Sequence, residues 1–428
     1  MKILWLINIV LPQVARKHNE KVNSTGGWMI SLSCEIPKNN QLTVCYPYNK
    51  NCNDSIDGVS YYGFQGKDNK KTLESMVARF REILIQEKPD VIHIWGTEHL
   101  QSYAMTVAAT QLNLEKKIVV SIQGMVWYYA MHFMANLPIK VQLLPTVRDV
   151  IRNDSLLHQK ANMIWRGEYE KKTIESVNHV IGRTTWDRIC VETINPAVKY
   201  HFNNEILRDS FYIKKWNIDG CDKYSIFVSQ AQTPIKGFHF VLEAAVILKK
   251  KYPQLQIYVA GSLAPFNNGV NSTAYSKYLY MYAKKNDLLK SVTYIGSLDE
   301  KQMCDRFLRS HVFVSASSIE NSPNSVGEAM LLGVPIVASN VGGTSDMLRD
   351  KIDGFLYQYD ASYMLAGYVD RIFSNESLAK QFSTSAREHA TLTHNRERNY
   401  QDLIHIYDEI SKIAESYVAK DGKQCLDL

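Results

Sequence analysis

Short apolar runs alternate along the whole chain with stretches whose apolar residues recur every three to four positions. The apolar runs predict strands at 2–10, 42–46, 90–95, 118–122, 179–182, 225–229, 256–260, 292–295, 312–315 and 335–338. The periodic stretches predict helices, most clearly at 73–87, 159–176, 240–251 and 276–286. Strands that are apolar throughout and separated by helices predict parallel sheets covered by helices on both faces.

The periodicity is interrupted once near the middle of the chain. A length of 428 residues favours two large domains. The pattern breaks between 205 and 222, around Lys214, Lys215 and Gly220. We therefore predict an α/β protein with a doubly wound, Rossmann-like domain over 1–208 and a second over 209–394. The tail, 395–428, is predicted to contain one long helix over 395–419.

Composition is that of a globular protein, with 45% hydrophobic and 21% charged residues. The seven cysteines show no CxxC or zinc-binding spacing and are typical of reduced thiols in a cytosolic protein. The apolar start, 1–10, is too short to span a membrane and has no small-residue cleavage site, so it is interpreted as a buried first strand.

The net charge of +6 lies entirely within the first 200 residues. A solvated surface explains this excess without any function. The alternative is a mildly basic face that meets anionic lipid or a phosphate-bearing acceptor. Nucleic acid is disfavoured as a partner, because no basic cluster is interleaved with an aromatic platform.

The most informative segment joins two glutamates eight positions apart, Glu320 and Glu328. Pro323 forbids one continuous helix through both, so we predict a loop carrying Glu320 and a helix starting near Asn324. Ser322, Asn324 and Ser325 are suitable capping residues, and a helix start binds anions readily. Two glutamates eight positions apart often occur by chance, and an acidic residue near a helix start usually only compensates the helix dipole. The alternative is a nucleotide-sugar pocket with a phosphate-sized space between the carboxylates.

The stretch 312–354 combines this glutamate pair with a Gly-Val-Pro turn at 333–335 and with Gly342-Gly343. In order, spacing and strand–helix context it resembles the donor-binding core of the retaining GT-B glycosyltransferases of group 1. The resemblance extends more weakly over most of the chain. It implies two Rossmann-like domains facing a central cleft, with the tail helix crossing back to the first domain.

The resemblance assigns roles to several residues of the second domain. Lys236, in a Lys-Gly pair before a helix, would hold the diphosphate, although an ordinary surface lysine is the alternative. Ala231 stands where the family usually has an arginine. Glu328 would bind the ribose and Glu320 would lie against the sugar ring. The remaining donor-binding candidates are Gly296, Ser322, Pro323, Asn324, Ser325 and Val326; a simple turn is the alternative for Gly296.

Four features of the first domain are candidates for donor or acceptor contacts. Gly26 and Gly27 resemble the family's glycine loop over the donor. Glu98 and His99 follow the predicted strand 90–95 and are acceptor candidates. Gln123 occupies the position of a histidine in many family members and cannot titrate. It is a catalytic candidate that argues against an imidazole base.

Trp127 and Tyr128 begin an aromatic stretch that continues to Phe133. Such a stretch most often belongs to a core. The alternatives are a platform for an acceptor sugar and a patch at a membrane interface.

The function that this resemblance implies is retaining transfer of a sugar from a nucleoside-diphosphate sugar to a hydroxyl of a glycan or lipid-linked acceptor, in the synthesis of a surface polysaccharide. No metal-ligand spacing is visible, so neither a metal nor another cofactor is expected. Peripheral contact of the N-terminal domain with the cytoplasmic face of a membrane is an accompanying hypothesis. A sugar-nucleotide epimerase of the same fold and a non-catalytic nucleotide-sugar binding protein are the two rivals.

Overall fold

The computed structural model describes residues 1–20, 27–66 and 70–424. The chain forms two compact units, each with its own parallel sheet. The first unit comprises Met1–Trp127, Trp165–Ile206 and the residues from Asn395 onward. The second unit comprises Tyr128–Ile164 and Leu207–His394.

The first unit contains an eight-stranded sheet in the order β3-β4-β2-β1-β5-β6-β7-β8. All neighbouring strands are parallel except β3 and β4, which form an antiparallel hairpin. The strands are β1 (Lys2–Leu6), β2 (Gln41–Tyr48), β3 (Cys52–Ile56), β4 (Val59–Gln65), β5 (Val91–Trp95), β6 (Ile118–Ser121), β7 (His179–Gly182) and β8 (Lys199–Phe202).

The second unit contains a six-stranded, fully parallel sheet in the order β11-β10-β9-β12-β13-β14. The strands are β9 (Asp222–Val228), β10 (Gln256–Ala260), β11 (Val292–Gly296), β12 (Ser310–Ser315), β13 (Ile336–Ser339) and β14 (Phe355–Tyr357). This is the doubly wound order 3-2-1-4-5-6, in which the strand order reverses between β9 and β12.

Helices connect the strands in both units. They are α1 (Pro12–Lys17), α2 (Gly27–Glu35), α3 (Leu73–Glu87), α4 (Leu100–Thr110), α5 (Val126–His132), α6 (Ile139–Leu143), α7 (Val147–Arg152), α8 (Leu156–Glu175), α9 (Thr185–Ile194), α10 (Asp209–Ile213), α11 (Phe238–Lys249), α12 (Ala274–Lys285), α13 (Glu300–Leu308), α14 (Asn324–Leu332), α15 (Thr344–Met347), α16 (Ser362–Ser374), α17 (Glu376–Thr393) and α18 (Arg396–Gln424).

The prediction of two doubly wound parallel sheets is confirmed. The sheet of the first unit also has strands that the apolar pattern did not reveal. The β3–β4 hairpin turns at Asp57 and Gly58, which both have positive φ (49° and 79°). Strand β3 is only partly buried, so it lacks an apolar run. The first strand is shorter than predicted and ends at Leu6.

The two units divide the chain differently from the predicted domains. The chain leaves the first unit after Trp127 and Ile206 and returns to it at Trp165 and Asn395. The crossing at Ile206 lies two residues before the predicted boundary. Assigning all of 1–208 to one domain was wrong for Tyr128–Ile164, because this helical segment packs within the second unit.

The C-terminal helix α18 packs on the sheet of the first unit. Its buried Tyr407 accepts a hydrogen bond at Oη from Trp5 Nε1 at 3.0 Å and lies 2.6 Å from His93 Nδ1. Leu403, Ile406 and Tyr407 belong to the same apolar core as strand β1. His93 is therefore a core histidine, and burial lowers its pKa.

No described helix has the length and apolar content that a bilayer crossing demands. The six described cysteines, at 34, 45, 52, 190, 221 and 304, are free thiols. Cys425 lies outside the described residues.

Candidate functional site

Two loops of the second unit flank the point where its strand order reverses. Pro234–Lys236, a 3₁₀ turn, follows β9, and the loop carrying Glu320 follows β12. Open α/β sheets bind ligands at this position, outside the carboxyl ends of the strands. Lys236 and Glu320 thus come from neighbouring strands and meet at one place.

Lys236 and Glu320 form an ion pair, with 2.5 Å between Lys236 Nζ and Glu320 Oε1. Ser317 Oγ donates a second hydrogen bond to the same oxygen at 2.7 Å. Glu320 is buried, whereas the Lys236 side chain is 30% exposed. A fixed carboxylate therefore holds a partly accessible ammonium group at the switch point.

Two glycines allow backbone segments to approach each other closely around this ion pair. Gly237 has a φ of +66°, and a Cβ there would lie 1.8 Å from the carbonyl oxygen of Ala316. Gly342 has a φ of +50°, and its Cβ would lie 1.9 Å from the carbonyl oxygen of Glu320. Both positions require glycine, since any side chain would push the loop away.

The predicted helix start is confirmed, because α14 begins at Asn324 with Pro323 as its N-cap. The N-cap position is taken by Pro323, whose side chain cannot cap a helix, rather than by Ser322, Asn324 or Ser325 as predicted. The first backbone N–H groups of a helix have no partner within it. Ser322 Oγ, just before the helix, is buried and lacks a hydrogen-bond partner among the described residues. This helix start therefore offers donors for an anion.

Glu328, in the second turn of α14, is engaged by Arg208. The guanidinium donates from Nε to Oε1 at 2.6 Å and from Nη2 to Oε2 at 2.7 Å. Burial raises the pKa of Glu328 despite the opposing effect of Arg208. Burial of Arg208 would lower its pKa, but its hydrogen bonds to Glu328 outweigh this and raise it. The ribose role of Glu328 stays a prediction, and any ribose would share the carboxylate with Arg208.

The segment Tyr128–Ile164 supports the Glu320 loop. The backbone N–H of Asn321 donates to Tyr129 Oη at 2.9 Å, and Ser318 Oγ donates to the carbonyl of His132 at 2.9 Å. Buried His239, whose pKa burial lowers to about 4, donates from Nε2 to the carbonyl of Ala135 at 2.8 Å. The segment therefore positions the candidate donor site rather than acting as a free surface loop.

Gly296 ends the edge strand β11 with a φ of +77° and faces open space. Its carbonyl accepts a hydrogen bond from the N–H of Gly261 at 3.0 Å. Ala231 is buried, so the position where the family usually carries an arginine contributes no charge. The donor-binding role of Gly296 stays a prediction.

A small cavity lies in the first unit and is partly lined by Trp95, Gln123, Arg183, Asn203 and Glu205. Gln123 Nε2 donates to Glu205 Oε1 at 2.8 Å, and Arg183 Nη1 lies 2.6 Å from the same oxygen. Asn203 Oδ1 is buried and has no hydrogen-bond partner in the described chain. The cavity thus combines a buried ion pair with a spare acceptor atom.

Glu98 lies in the turn after β5, the strand whose last residue, Trp95, lines this cavity. Burial raises its pKa, and its Oε2 has no hydrogen-bond partner within the described ranges. Gly96 makes room for it, because a Cβ at Gly96 would lie 2.3 Å from Glu98 Oε2. His99 is the N-cap of α4. Their acceptor roles stay predictions.

Trp127 is the last residue of the first unit before the chain crosses. Its backbone N–H donates to Glu170 Oε2 at 2.9 Å, and Lys171 Nζ lies 3.4 Å from its ring centroid. Tyr128 begins the segment that belongs to the second unit. Trp127 is therefore held in place within the first unit, whereas Tyr128, the next residue, belongs to the second unit.

The glycine loop can be located only in part. Gly26 lies outside the described residues, and Gly27 is the first residue of α2.

The sequence prediction missed Arg183, Glu205 and Arg208. Arg183 follows strand β7 directly, so the rule of searching strand ends could have found it. Glu205 and Arg208 lie in an irregular segment with no strand or motif signal, and only the fold reveals their partners.

Comparison with known proteins finds a family match in the second unit. Residues 209–389 match the model of the family "Glycosyl transferases group 1". "Putative glycosyltransferase YtcC" of Bacillus subtilis is 26% identical over 194 residues, 44% of this chain and 46% of the relative. "Capsular polysaccharide biosynthesis glycosyltransferase CapM" of Staphylococcus aureus is 24% identical over 181 residues, 42% of this chain and 44% of the relative. The chain thus spans less than half the length of these relatives.

Solved structures share the fold over nearly the whole chain. Sucrose-phosphate synthase from Thermosynechococcus elongatus has a TM-score of 0.72 at 15% identity and covers 96% of this chain and 99% of its own. Anabaena HepE in complex with UDP and glucose has a TM-score of 0.68 at 14% identity, covering 95% and 99%. The chain therefore has the α/β architecture of the GT-B glycosyltransferases, and its residues 209–389 are similar to the glycosyl transferases group 1 family.

Proposed function

We propose that this protein transfers a sugar from a nucleoside-diphosphate sugar to a hydroxyl of a glycan or lipid-linked acceptor, in the synthesis of a surface polysaccharide. The observation that carries the proposal is the Lys236–Glu320 ion pair at the switch point of the group 1 domain. A phosphate at this position would meet a lysine charge and the N-terminus of α14 together.

The proposed reaction retains the configuration at the anomeric carbon. The bond from that carbon to the diphosphate oxygen breaks, the acceptor oxygen forms the new bond on the same face, and the acceptor's proton passes to the departing phosphate oxygen. Lys236 stabilises the negative charge on the leaving diphosphate. Glu320 orients Lys236 and the donor sugar. Because these groups supply the charge, we propose that no catalytic metal is required.

The cavity of the first unit is the candidate acceptor site. Gln123 cannot act as a base, and its amide donates to Glu205. Arg183 and Asn203 offer a donor and an acceptor to a sugar hydroxyl, and Trp95 offers an aromatic wall.

The two rival functions make different predictions. An epimerase would convert the nucleotide sugar without any acceptor. A non-catalytic binding protein, for which Ala231 and Gln123 argue, would bind the donor and release no nucleotide with any acceptor.

A screen of donors by thermal shift, followed by mass spectrometry of reactions with saccharide and lipid-linked acceptors, tests the proposal. We expect an acceptor product heavier by one sugar residue and nucleoside diphosphate released in equal amount. A changed sugar nucleotide without acceptor would support the epimerase. Donor binding with no product from a broad acceptor panel would support the binding protein.

We propose further that the protein works in the cytoplasm at the inner membrane face, through α6 and α7. Val147, Val150 and Ile151 recur at helical spacing on α7 and are 71%, 66% and 78% exposed. Lys140 and Arg152 are exposed in the same two helices. An apolar helix face beside basic residues suits an anionic lipid surface.

Co-sedimentation with vesicles tests this contact. We expect binding to vesicles containing phosphatidylglycerol, weaker binding to phosphatidylcholine alone, and loss of binding on Val150→Ser with Ile151→Ser. Ile213→Ser is the matched control, since Ile213 is 80% exposed elsewhere in the second unit. Equal binding by both variants, or self-association through α7 instead, would contradict the proposal.

A further inference from the structure

Three side chains that are distant in sequence bring potential metal ligands together in the first unit. The ligand atoms of His179, His201 and Glu409 all lie within 4.8 Å of one another. His179 begins β7, His201 lies in β8, and Glu409 lies on α18. None of the three belongs to the candidate donor or acceptor site.

The strand register places both histidines on one face of the sheet. His179 pairs with Lys199, and Ile181 pairs with His201. Because side chains on alternate residues of a strand share a face, His179, Lys199 and His201 point the same way. Helix α18, which carries Glu409, covers that face.

The distances suit a tetrahedral metal ion. His179 Nδ1 and His201 Nε2 lie 3.0 Å apart. Two nitrogens bound to one zinc ion at about 2.0–2.1 Å in tetrahedral geometry are about 3.3 Å apart. A shift of a few tenths of an ångström would therefore open the pair for an ion.

The surroundings of the three side chains also suit metal binding. Both histidines are buried, and the Glu409 side chain is 26% exposed. The two imidazoles are therefore fixed by the sheet, whereas the carboxylate can be reached by an ion from solvent.

We propose that His179, His201 and Glu409 bind a divalent transition-metal ion, with Zn²⁺ as the best match, and that this ion fastens α18 to the sheet. Two histidines and one carboxylate form a common zinc ligand set, with the fourth position left to water.

Lys199 is the competitor for Glu409, because its Nζ pairs with Glu409 Oε1. Metal binding requires the carboxylate to exchange this ammonium group for the ion. Replacing Lys199 with an uncharged residue should therefore strengthen binding of the metal ion. A purely structural arrangement, with a His–His hydrogen bond and a surface ion pair, makes no such prediction.

The test uses the full chain after treatment with a chelator. We expect one equivalent of Zn²⁺ to bind in calorimetry and to raise Tm, whereas Mg²⁺, which prefers oxygen ligands, does neither. Co²⁺ should give the visible absorption of a tetrahedral site, a signature independent of stability. Glu409→Gln should weaken Zn²⁺ binding by at least about tenfold, and Lys199→Met should leave it equal or tighter.

His18→Asn is the matched control, since His18, Cys52 and Asp54 form another group with ligand spacing. Zn²⁺ binding that His18→Asn removes and Glu409→Gln leaves unchanged would overturn the proposal. A full chain that binds no Zn²⁺ in calorimetry would overturn it equally. Glu409 lies on a partly exposed helix face, so its substitution is expected to preserve the fold.

Discussion

Replacing Arg208 with methionine leaves the carboxylate of Glu328 buried without its partner. Glu328 is only 6% exposed, and Arg208 binds both of its oxygens. Removing one member of a buried ion pair costs about 3–5 kcal/mol of unfolding free energy. For a domain of about 150–250 residues this lowers Tm by roughly 6–20 °C.

The double variant Arg208→Met with Glu328→Met separates the ion pair from general packing. Two apolar side chains of similar length remove the unpaired charge, so most of the lost stability should return. Arg309→Met is the control, because Arg309 is 64% exposed in its ion pair with Asp222 and its loss should cost under about 1 kcal/mol.

The pH dependence follows from the same carboxyl group. Burial already raises the pKa of Glu328, and loss of Arg208 removes the opposing influence, so the pKa rises further. A group whose pKa is higher in the folded state favours folding at acidic pH, and this contribution is lost as pH rises through the folded value. The free energy of unfolding of Arg208→Met should therefore lie closer to that of the wild type at pH 5 than at pH 8.

Chemical denaturation at the two pH values measures these differences directly. The reasoning would be refuted by an Arg208→Met variant within about 1 kcal/mol of the wild type at pH 8. It would be refuted equally by a double variant no more stable than the single one.

Four further predictions concern the two sites. Lys236→Met should weaken nucleoside-diphosphate binding by about tenfold or more in calorimetry, because it removes a charge-assisted phosphate contact; unchanged affinity would count against the site. Glu328→Ala should lose nucleotide affinity, whereas Glu320→Ala should keep binding and lose rate, as steady-state kinetics would measure. Gly342→Ala should destabilise the protein by about 1–3 kcal/mol, since its φ is +50° and its Cβ would meet Glu320, while the control Gly367→Ala, in open space on a helix, should stabilise it by about 0.5–1 kcal/mol. Burial raises the pKa of Glu170 to about 7, so its contribution to stability should fall as pH rises from about 4.5 to 7, and Glu170→Gln should flatten that part of the stability profile.

The sequence pattern predicted the parts of the fold with strong periodicity. Helix α3 and strand β10 match their predicted bounds, because both have clear flanking breaks and buried apolar residues. The hairpin β3–β4 was missed although Asp57-Gly58 is a typical hairpin turn. Strand β14 has only three residues, too few to show a period.

The candidate site was predictable where a motif fixed its position. Glu320 and Lys236 follow neighbouring strands, so the sheet brings them together. The partners of Glu328 and Gln123 were not predictable, because Arg208 and Glu205 are distant in sequence and lie in irregular segments. The grouping of His179, His201 and Glu409 was not predictable for the same reason, because their spacing in sequence matches no metal-binding motif.

The segment Tyr128–Ile164 shows why the domain boundary was only partly predicted. Its helices have ordinary periodicity, which does not indicate the unit on which they pack. Only tertiary bonds such as Asn321 to Tyr129 assign the segment to the second unit.

A crystal soaked with a nucleoside-diphosphate sugar tests the central claim most directly. We expect the diphosphate within hydrogen-bonding distance of Lys236 Nζ and the first turn of α14, with the sugar beside Glu320. A ligand bound away from both β9 and β12, with the Lys236–Glu320 pair unchanged, would contradict the proposed donor site.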